Sequence, residues 1–148
     1  MNSLRYEHRQ WSWIPLAVTL FATAGVALGS ISGPPLPRVM WLVPVTVAAV
    51  SALMATLRVS IDQEQLRWHF GPGFWRKALP LADITAVEIT RTSFWNGWGI
   101  RHTRRGWLYN VAGFDAVRVC TRDGRAVLLG TDEPRKLAGA VRRAAGLP

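Results

Sequence analysis

The segment WIPLAVTLFATAGVALGSIS at residues 13–32 decides the class of this protein, and VMWLVPVTVAAVSALMATL at residues 39–57 repeats its character. Neither segment contains an Asp, Glu, Lys, Arg or His. A helix of about 20 apolar residues crosses a hydrocarbon core of about 30 Å. The Gly- and Pro-rich break between them, SGPPLPR at residues 32–38, is long enough only for a tight reversal. The sequence therefore predicts a transmembrane helical hairpin with spans over 13–32 and 39–57.

The distribution of charge predicts where the rest of the chain lies. The formal net charge is +9, of which residues 1–57 carry +2 and residues 58–148 carry +7. Such an excess could attract nucleic acid, but segments beside membrane spans are enriched in Lys and Arg on the cytoplasmic side. We therefore expect a multi-pass protein of the inner cell membrane with both termini cytoplasmic. Anionic lipid headgroups are the expected partner, and no nucleic acid is expected.

Small residues in the two predicted spans indicate where helices could pack closely. Gly25 and Gly29 have Gly-x-x-x-Gly spacing, and Ala48 and Ala52 repeat the small-x-x-x-small pattern. Packing of the two helices within one hairpin is the favoured interpretation, and self-association through Gly25 and Gly29 is the alternative. Because no ionisable residue lies inside either span, an ion path or proton relay is not indicated. The hairpin is predicted to be an anchor.

Residues 58–148 follow the hairpin without a flexible linker and are predicted to form a separate cytoplasmic domain. Short strands are indicated at residues 59–61, 66–70, 74–79, 84–91, 117–121 and 126–129. The dipeptide Asp123-Gly124 predicts a hairpin turn between the last two strands. A closing helix is expected to begin at a cap formed by Thr131 or Asp132 and to stop at Gly146. These elements predict an antiparallel sheet or small barrel closed by one helix.

Four segments resemble recurring segments of the bacterial pleckstrin-homology-like (PH-like) membrane proteins. They are LPLADI at 79–84, GWGIR at 97–101, GWLYNV at 106–111 and VLLGT at 127–131. The resemblance implies an α+β domain, a small open barrel of about seven antiparallel strands with a C-terminal helix. It also implies an interaction scaffold for lipids, peptides or proteins. The loop at residues 62–65, DQEQ, is acidic, so inositol phosphate recognition at this loop is not expected.

One stretch combines tryptophans with arginines and is the best candidate for a contact surface. Guanidinium groups pair with lipid phosphates, and indole rings settle at the headgroup level. An alternative is a solvated hairpin whose tryptophans belong to the core. The candidates for lipid or partner contact are Trp95, Trp98, Arg101, Arg104, Arg105 and Trp107.

The sequence offers no arrangement typical of catalysis. His8, His69 and His102 are scattered without metal-ligand spacing, and no nucleophile and base are recognisable as a pair. We therefore expect no enzyme activity, no cofactor and no metal. The sequence predicts a membrane-anchored interaction module that contacts lipid headgroups or a partner membrane protein. The alternative is an accessory structural subunit of a larger membrane protein complex.

Overall fold

The computed structural model describes residues 6–34, 36–92 and 99–148. Its α-helices are α1 (Ile14–Ser32), α2 (Leu42–Met54) and α3 (Pro134–Ala145), and short 3-10 turns occupy Arg38–Trp41 and Leu81–Asp83. The strands are β1 (Tyr6–Trp11), β2 (Thr56–Ile61), β3 (Gln65–Phe70), β4 (Phe74–Pro80), β5 (Ile84–Arg91), β6 (Gly99–Thr103), β7 (Gly106–Asn110), β8 (Asp115–Thr121) and β9 (Ala126–Gly130).

The described strands form two sheets, and the expectation of one small barrel of about seven strands was wrong. The first sheet has the antiparallel order β1-β2-β3-β4, and the second has the order β5-β8-β9-β7-β6, in which β7 and β9 are parallel. Between the two sheets, Pro80 at the end of β4 leads into the 3-10 turn Leu81–Asp83, and β5 begins directly after this turn. The predicted β-rich domain with a C-terminal helix is confirmed.

The strand β1 lies before the hairpin and was not predicted. It pairs along its whole length with β2, from Tyr6 opposite Ile61 to Trp11 opposite Thr56. The hairpin is therefore inserted between two neighbouring strands of one sheet. Where the strands meet the helices, the Ser12 N–H donates to the Ala55 carbonyl oxygen at 2.9 Å.

Of the two predicted spans, one meets the length and composition that a membrane crossing requires. Helix α1 has 19 residues and a mean hydropathy of 1.9, and it is the one described helix that meets both conditions. The second apolar helical run covers Arg38–Met54 and is shorter than the predicted span over 39–57. It ends early because Thr56 and Leu57 already belong to β2.

The core of the domain lies between the two sheets and α3. Residues Leu57, Val59 and Ile61 alternate inward along β2 and are almost completely buried. They share one cluster with buried side chains of β8, β9 and α3. This alternation is what a sheet with one buried face requires.

Two local predictions in the second half can be compared with the structure. The Asp123-Gly124 turn is confirmed, since Gly124 has a φ of +79° and its N–H donates to Thr121 O at 3.0 Å. The stop of α3 at Gly146 is also confirmed by a left-handed φ of +69°. The cap prediction was wrong by a residue or two, because the N-cap of α3 is Glu133.

Candidate functional site

The turn that follows β3 fixes the domain to the hairpin. Gly71 in this turn has a φ of +52°, and its N–H donates to Thr56 O at 2.9 Å. A Cβ atom at Gly71 would lie 2.5 Å from the carbonyl oxygen of Leu53. The turn therefore packs directly against the last turn of α2, so the helices and the first sheet form one continuous unit.

The side chains of the hairpin are largely exposed in spite of their apolar character. Phe21 is 84% exposed, Ile31 81% and Trp13 65%, and within α1 Val26 is the buried residue. Large apolar patches of this kind mark contact with a membrane or another protein.

The four small residues of the predicted helix packing lie in different surroundings. Gly25 is exposed, and a Cβ atom there would have no neighbour within 4 Å. A Cβ atom at Gly29 would lie 3.1 Å from Leu36 Cδ1, in the connection between the helices. Ala48 is half-buried, whereas Ala52 is exposed. Association through these residues stays a prediction.

The arginine and tryptophan stretch lies partly within the described structure. Trp95 and Trp98 lie outside the described residues. In the hairpin of β6 and β7, Arg101 is opposite Leu108, and Trp107 is opposite His102. Since neighbouring residues of a strand point to opposite faces, Arg101 and Trp107 do not share a surface.

Arg104 and Arg105 lie in the tight turn between β6 and β7, and both are exposed. The turn needs Gly106, which has a φ of +124° and lies against the carbonyl group of Ala126. The side chain of Arg105 also contacts β5, because its Nη1 donates to Thr90 Oγ1 at 3.4 Å. The two guanidinium groups therefore extend from a turn whose backbone has a defined shape.

A cavity of about 770 Å³ opens where the edge strand β4 faces the second sheet. Its apolar lining includes Trp68 and Tyr109, which contact each other edge to face with ring centroids 5.4 Å apart. The buried Trp68 Nε1 has no hydrogen-bond partner among the described residues. Burial raises the pKa of Tyr109 above its ordinary value. Sequence reasoning missed this cavity because its walls come from strands far apart in the chain.

Charged groups surround the mouth of this cavity, and several already have partners. Asp123 accepts hydrogen bonds from the Thr121 hydroxyl and from Arg125, which together lower its pKa to about 2. Arg122 Nη2 donates to Ala82 O at 3.3 Å. The mouth also includes Lys77 and Asp83. The described charges at the mouth are thus mixed in sign and partly neutralised.

The inner face of β1 connects the N-terminal segment to the C-terminal half of the domain. His8 Nε2 lies 2.6 Å from Asp132 Oδ1, and Gln10 Nε2 donates to Ala112 O at 3.1 Å. Burial, and then the charges of Glu133 and Asp132, raise the pKa of Tyr6 to about 12. The sequence did not predict these contacts, because the six residues of β1 are mostly polar and lack the apolar alternation that indicates a strand.

The outer face of β1 adds a second pocket, of about 450 Å³, beside the hairpin. We call it the junction pocket, and its lining is Arg9, Trp11, Ala52, Ala55, Thr56, Arg58, His69, Gly71 and Pro72. In the part of the chain that the structure describes, no group of three or more His, Cys, Asp or Glu residues is placed to hold a metal ion. No family model and no curated protein matches this chain.

Proposed function

We propose that this protein is a membrane-anchored, non-enzymatic interaction module with a PH-like domain held at the inner leaflet. The observation that carries the proposal is the insertion of the apolar hairpin between β1 and β2. Its exposed apolar side chains require an apolar environment, and the attached sheet is polar on its outer face. The function would be to hold the domain at the membrane surface, because an anchored domain does not have to diffuse to the membrane before it binds there.

The pairing of β1 with β2 also supports the proposed topology. Both ends of the hairpin must return to the same side of the bilayer, since the two strands are hydrogen-bonded neighbours. At 1.5 Å per residue, α1 is roughly 28 Å long, close to the thickness of the hydrocarbon core. The excess of Lys and Arg in residues 58–148 favours the cytoplasmic side. We propose that the chain crosses twice and that both termini are cytoplasmic.

Cysteine labelling of the full-length protein tests this topology. In a Cys120→Ser background, Gly33→Cys marks the connection between the helices, and Arg135→Cys marks an exposed position on α3. A membrane-impermeant maleimide applied to spheroplasts should label the first variant, and it should label the second only after lysis. Labelling of Arg135→Cys before lysis would contradict the cytoplasmic orientation. Release of the protein by alkaline carbonate would contradict membrane insertion.

The exposed arginines of the β6–β7 hairpin are the proposed contact with anionic lipid. Each basic residue near an anionic leaflet contributes about 1 kcal/mol, so Arg101, Arg104 and Arg105 could together orient the domain. Hydrogen exchange of the full-length protein in nanodiscs tests this contact. Backbone amides of the β6–β7 hairpin should be better protected in phosphatidylglycerol than in phosphatidylcholine.

The variant that changes all three arginines to Gln should lose this lipid-dependent protection. Its matched control removes the same charge from α3 through Arg135→Gln, Lys136→Gln and Arg143→Gln, and it should keep the protection. Equal protection in both lipids for the unmodified protein would contradict lipid contact at this hairpin. The contact would then have to involve a protein partner or another surface.

A second candidate function is an accessory subunit of a larger membrane protein complex. It is favoured by Gly25, which is exposed on α1 and offers a backbone surface that another helix could approach. Purification in mild detergent should then recover a stoichiometric partner, and Gly25→Leu should release it. A monodisperse monomer from the unmodified protein would contradict this alternative.

A further inference from the structure

Three basic side chains lie side by side on the outer face of the first sheet. Arg9 on β1 is directly opposite Arg58 on β2, and Arg58 is directly opposite His69 on β3. Both arginines are exposed, and the histidine is half-buried. Residues opposite one another in neighbouring antiparallel strands have Cβ atoms about 4.5–5.5 Å apart on the same face. The register therefore concentrates positive charge on β1 and β2 and places an imidazole beside it on β3.

This arrangement is unfavourable unless an anion compensates it, because like charges directly opposite each other destabilise a sheet. Glu7 compensates in part, since its Oε1 lies 3.2 Å from Arg58 Nε. No ion-pair partner of Arg9 is found among residues 6–34, 36–92 and 99–148. Within the same residues, the buried Nδ1 of His69 has no hydrogen-bond partner. Hydrogen-bonding capacity thus remains on two of the three strands.

The other side of the junction pocket is apolar and belongs to the base of the hairpin. Ala52 lies in the last turn of α2, Ala55 follows this helix directly, and Trp11 is 62% exposed at the end of β1. Tryptophan side chains of this kind settle at the membrane interface. At about 3.4 Å per residue, Arg9 lies roughly 7 Å further from the hairpin than Trp11. This is the depth of the headgroup layer, which adds about 5–7 Å to each side of the hydrocarbon core.

We propose that the junction pocket binds the phosphate group of an anionic membrane phospholipid. Arg9 and Arg58 would pair with the phosphate oxygens, His69 would supply a further donor, and the acyl chains would follow the surface of α2. A lipid fits better than free phosphate because the basic row adjoins an apolar wall that continues into the hairpin. This inference rests on the proposed membrane anchoring and names a lipid site distinct from the β6–β7 hairpin.

Native mass spectrometry of the full-length protein in neutral detergent tests the site. The probes are phosphatidylglycerol, phosphatidylcholine and diacylglycerol with the same acyl chains. Phosphatidylglycerol should bind most tightly, and diacylglycerol, which has no phosphate, should bind weakly. Arg9→Gln and Arg58→Gln should each weaken phosphatidylglycerol binding about fivefold, which corresponds to about 1 kcal/mol per basic residue. Arg135→Gln, which removes one exposed charge from α3, should leave the affinity unchanged.

The variant Glu7→Gln separates a binding role from a structural one. It removes the carboxylate that competes for Arg58, so phosphatidylglycerol should bind more tightly, although one ion pair of the fold is lost. Unchanged or weaker binding in Glu7→Gln would overturn the inference, as would unchanged binding in both arginine variants. Displacement of the lipid by inorganic phosphate at equal concentration would also overturn it, since the site would then recognise phosphate alone. If the protein still resists extraction by alkaline carbonate, any of these binding results would overturn the lipid site alone and would not contradict the proposed membrane anchoring.

Discussion

Replacing Gly71 by alanine should loosen the attachment of the domain to the helical hairpin. The position imposes two separate costs on a side chain. Its φ of +52° lies in the left-handed region, where an L-residue is roughly 1–2 kcal/mol less stable than glycine. In addition, the new Cβ atom would lie 2.5 Å from Leu53 O, well inside ordinary contact distance, so the turn and α2 must move apart.

Gly124 provides a matched control, because alanine there would have the unfavourable backbone conformation without the steric clash. Gly124 has a φ of +79°, and a Cβ atom there would have no neighbour within 4 Å. We expect Gly124→Ala to lower the free energy of unfolding by about 1–2 kcal/mol. Overpacking adds typically about 1–3 kcal/mol, so Gly71→Ala should lower it by about 2–5 kcal/mol. The difference between the two variants measures the contact between the turn and α2.

Urea titration of the full-length proteins in mild detergent, followed by circular dichroism, provides this comparison. The expected order of unfolding midpoints is unmodified protein, then Gly124→Ala, then Gly71→Ala. Equal midpoints for the two variants would refute this prediction, because the turn would then not be packed against α2. A flexible connection between hairpin and domain would follow instead.

Three further predictions concern the stability of the domain. Asp62 accepts two backbone N–H bonds that lower its pKa, so its stabilising effect is present above the ordinary value of 3.8 and is lost as the pH falls toward the native value. In acid titrations, Asp62→Asn should therefore lose less stability than the unmodified protein below about pH 4. Asn110→Ala removes a fully buried side chain with two backbone hydrogen bonds and should cost about 1–3 kcal/mol in urea unfolding. Leu137→Ala, at a residue that is 1% exposed, should cost about 2–5 kcal/mol and lower the melting temperature.

The parts of the fold that the sequence predicted are those with a local pattern. The strand β5, the turn at Asp123-Gly124 and the helix stop at Gly146 each follow from alternation or from glycine chemistry within a few residues. The division into two sheets could not be predicted in this way. It depends on which strands pair, and the parallel pairing of β7 with β9 involves residues far apart in the sequence.

The candidate sites show the same limit. Arg101, Arg104 and Arg105 were recognised because they lie close together in the sequence, but the register then separated Arg101 from Trp107. The basic row of the junction pocket could not be recognised, because Arg9 and Arg58 are separated by the whole hairpin. Their proximity exists only through the pairing of β1 with β2. The inward-facing residues of β1 include His8 and Gln10, which make polar contacts. The sequence of β1 therefore has no alternation of apolar residues from which the strand could be predicted.

The join between hairpin and sheet links folding of the hairpin to completion of the first sheet. Packed helices have axes about 8–10 Å apart, whereas neighbouring strands are about 4.8 Å apart. The distance between the two chain segments decreases from the helix spacing to the strand spacing at Ser12 and Ala55. The Ser12 N–H donates a hydrogen bond of 2.9 Å to the Ala55 carbonyl oxygen at this point. If the residues between β1 and β2 were flexible, they would have to lose conformational entropy before β1 could pair with β2. A folded hairpin has already lost this entropy, so β1 should join the sheet only after α1 and α2 have packed against each other.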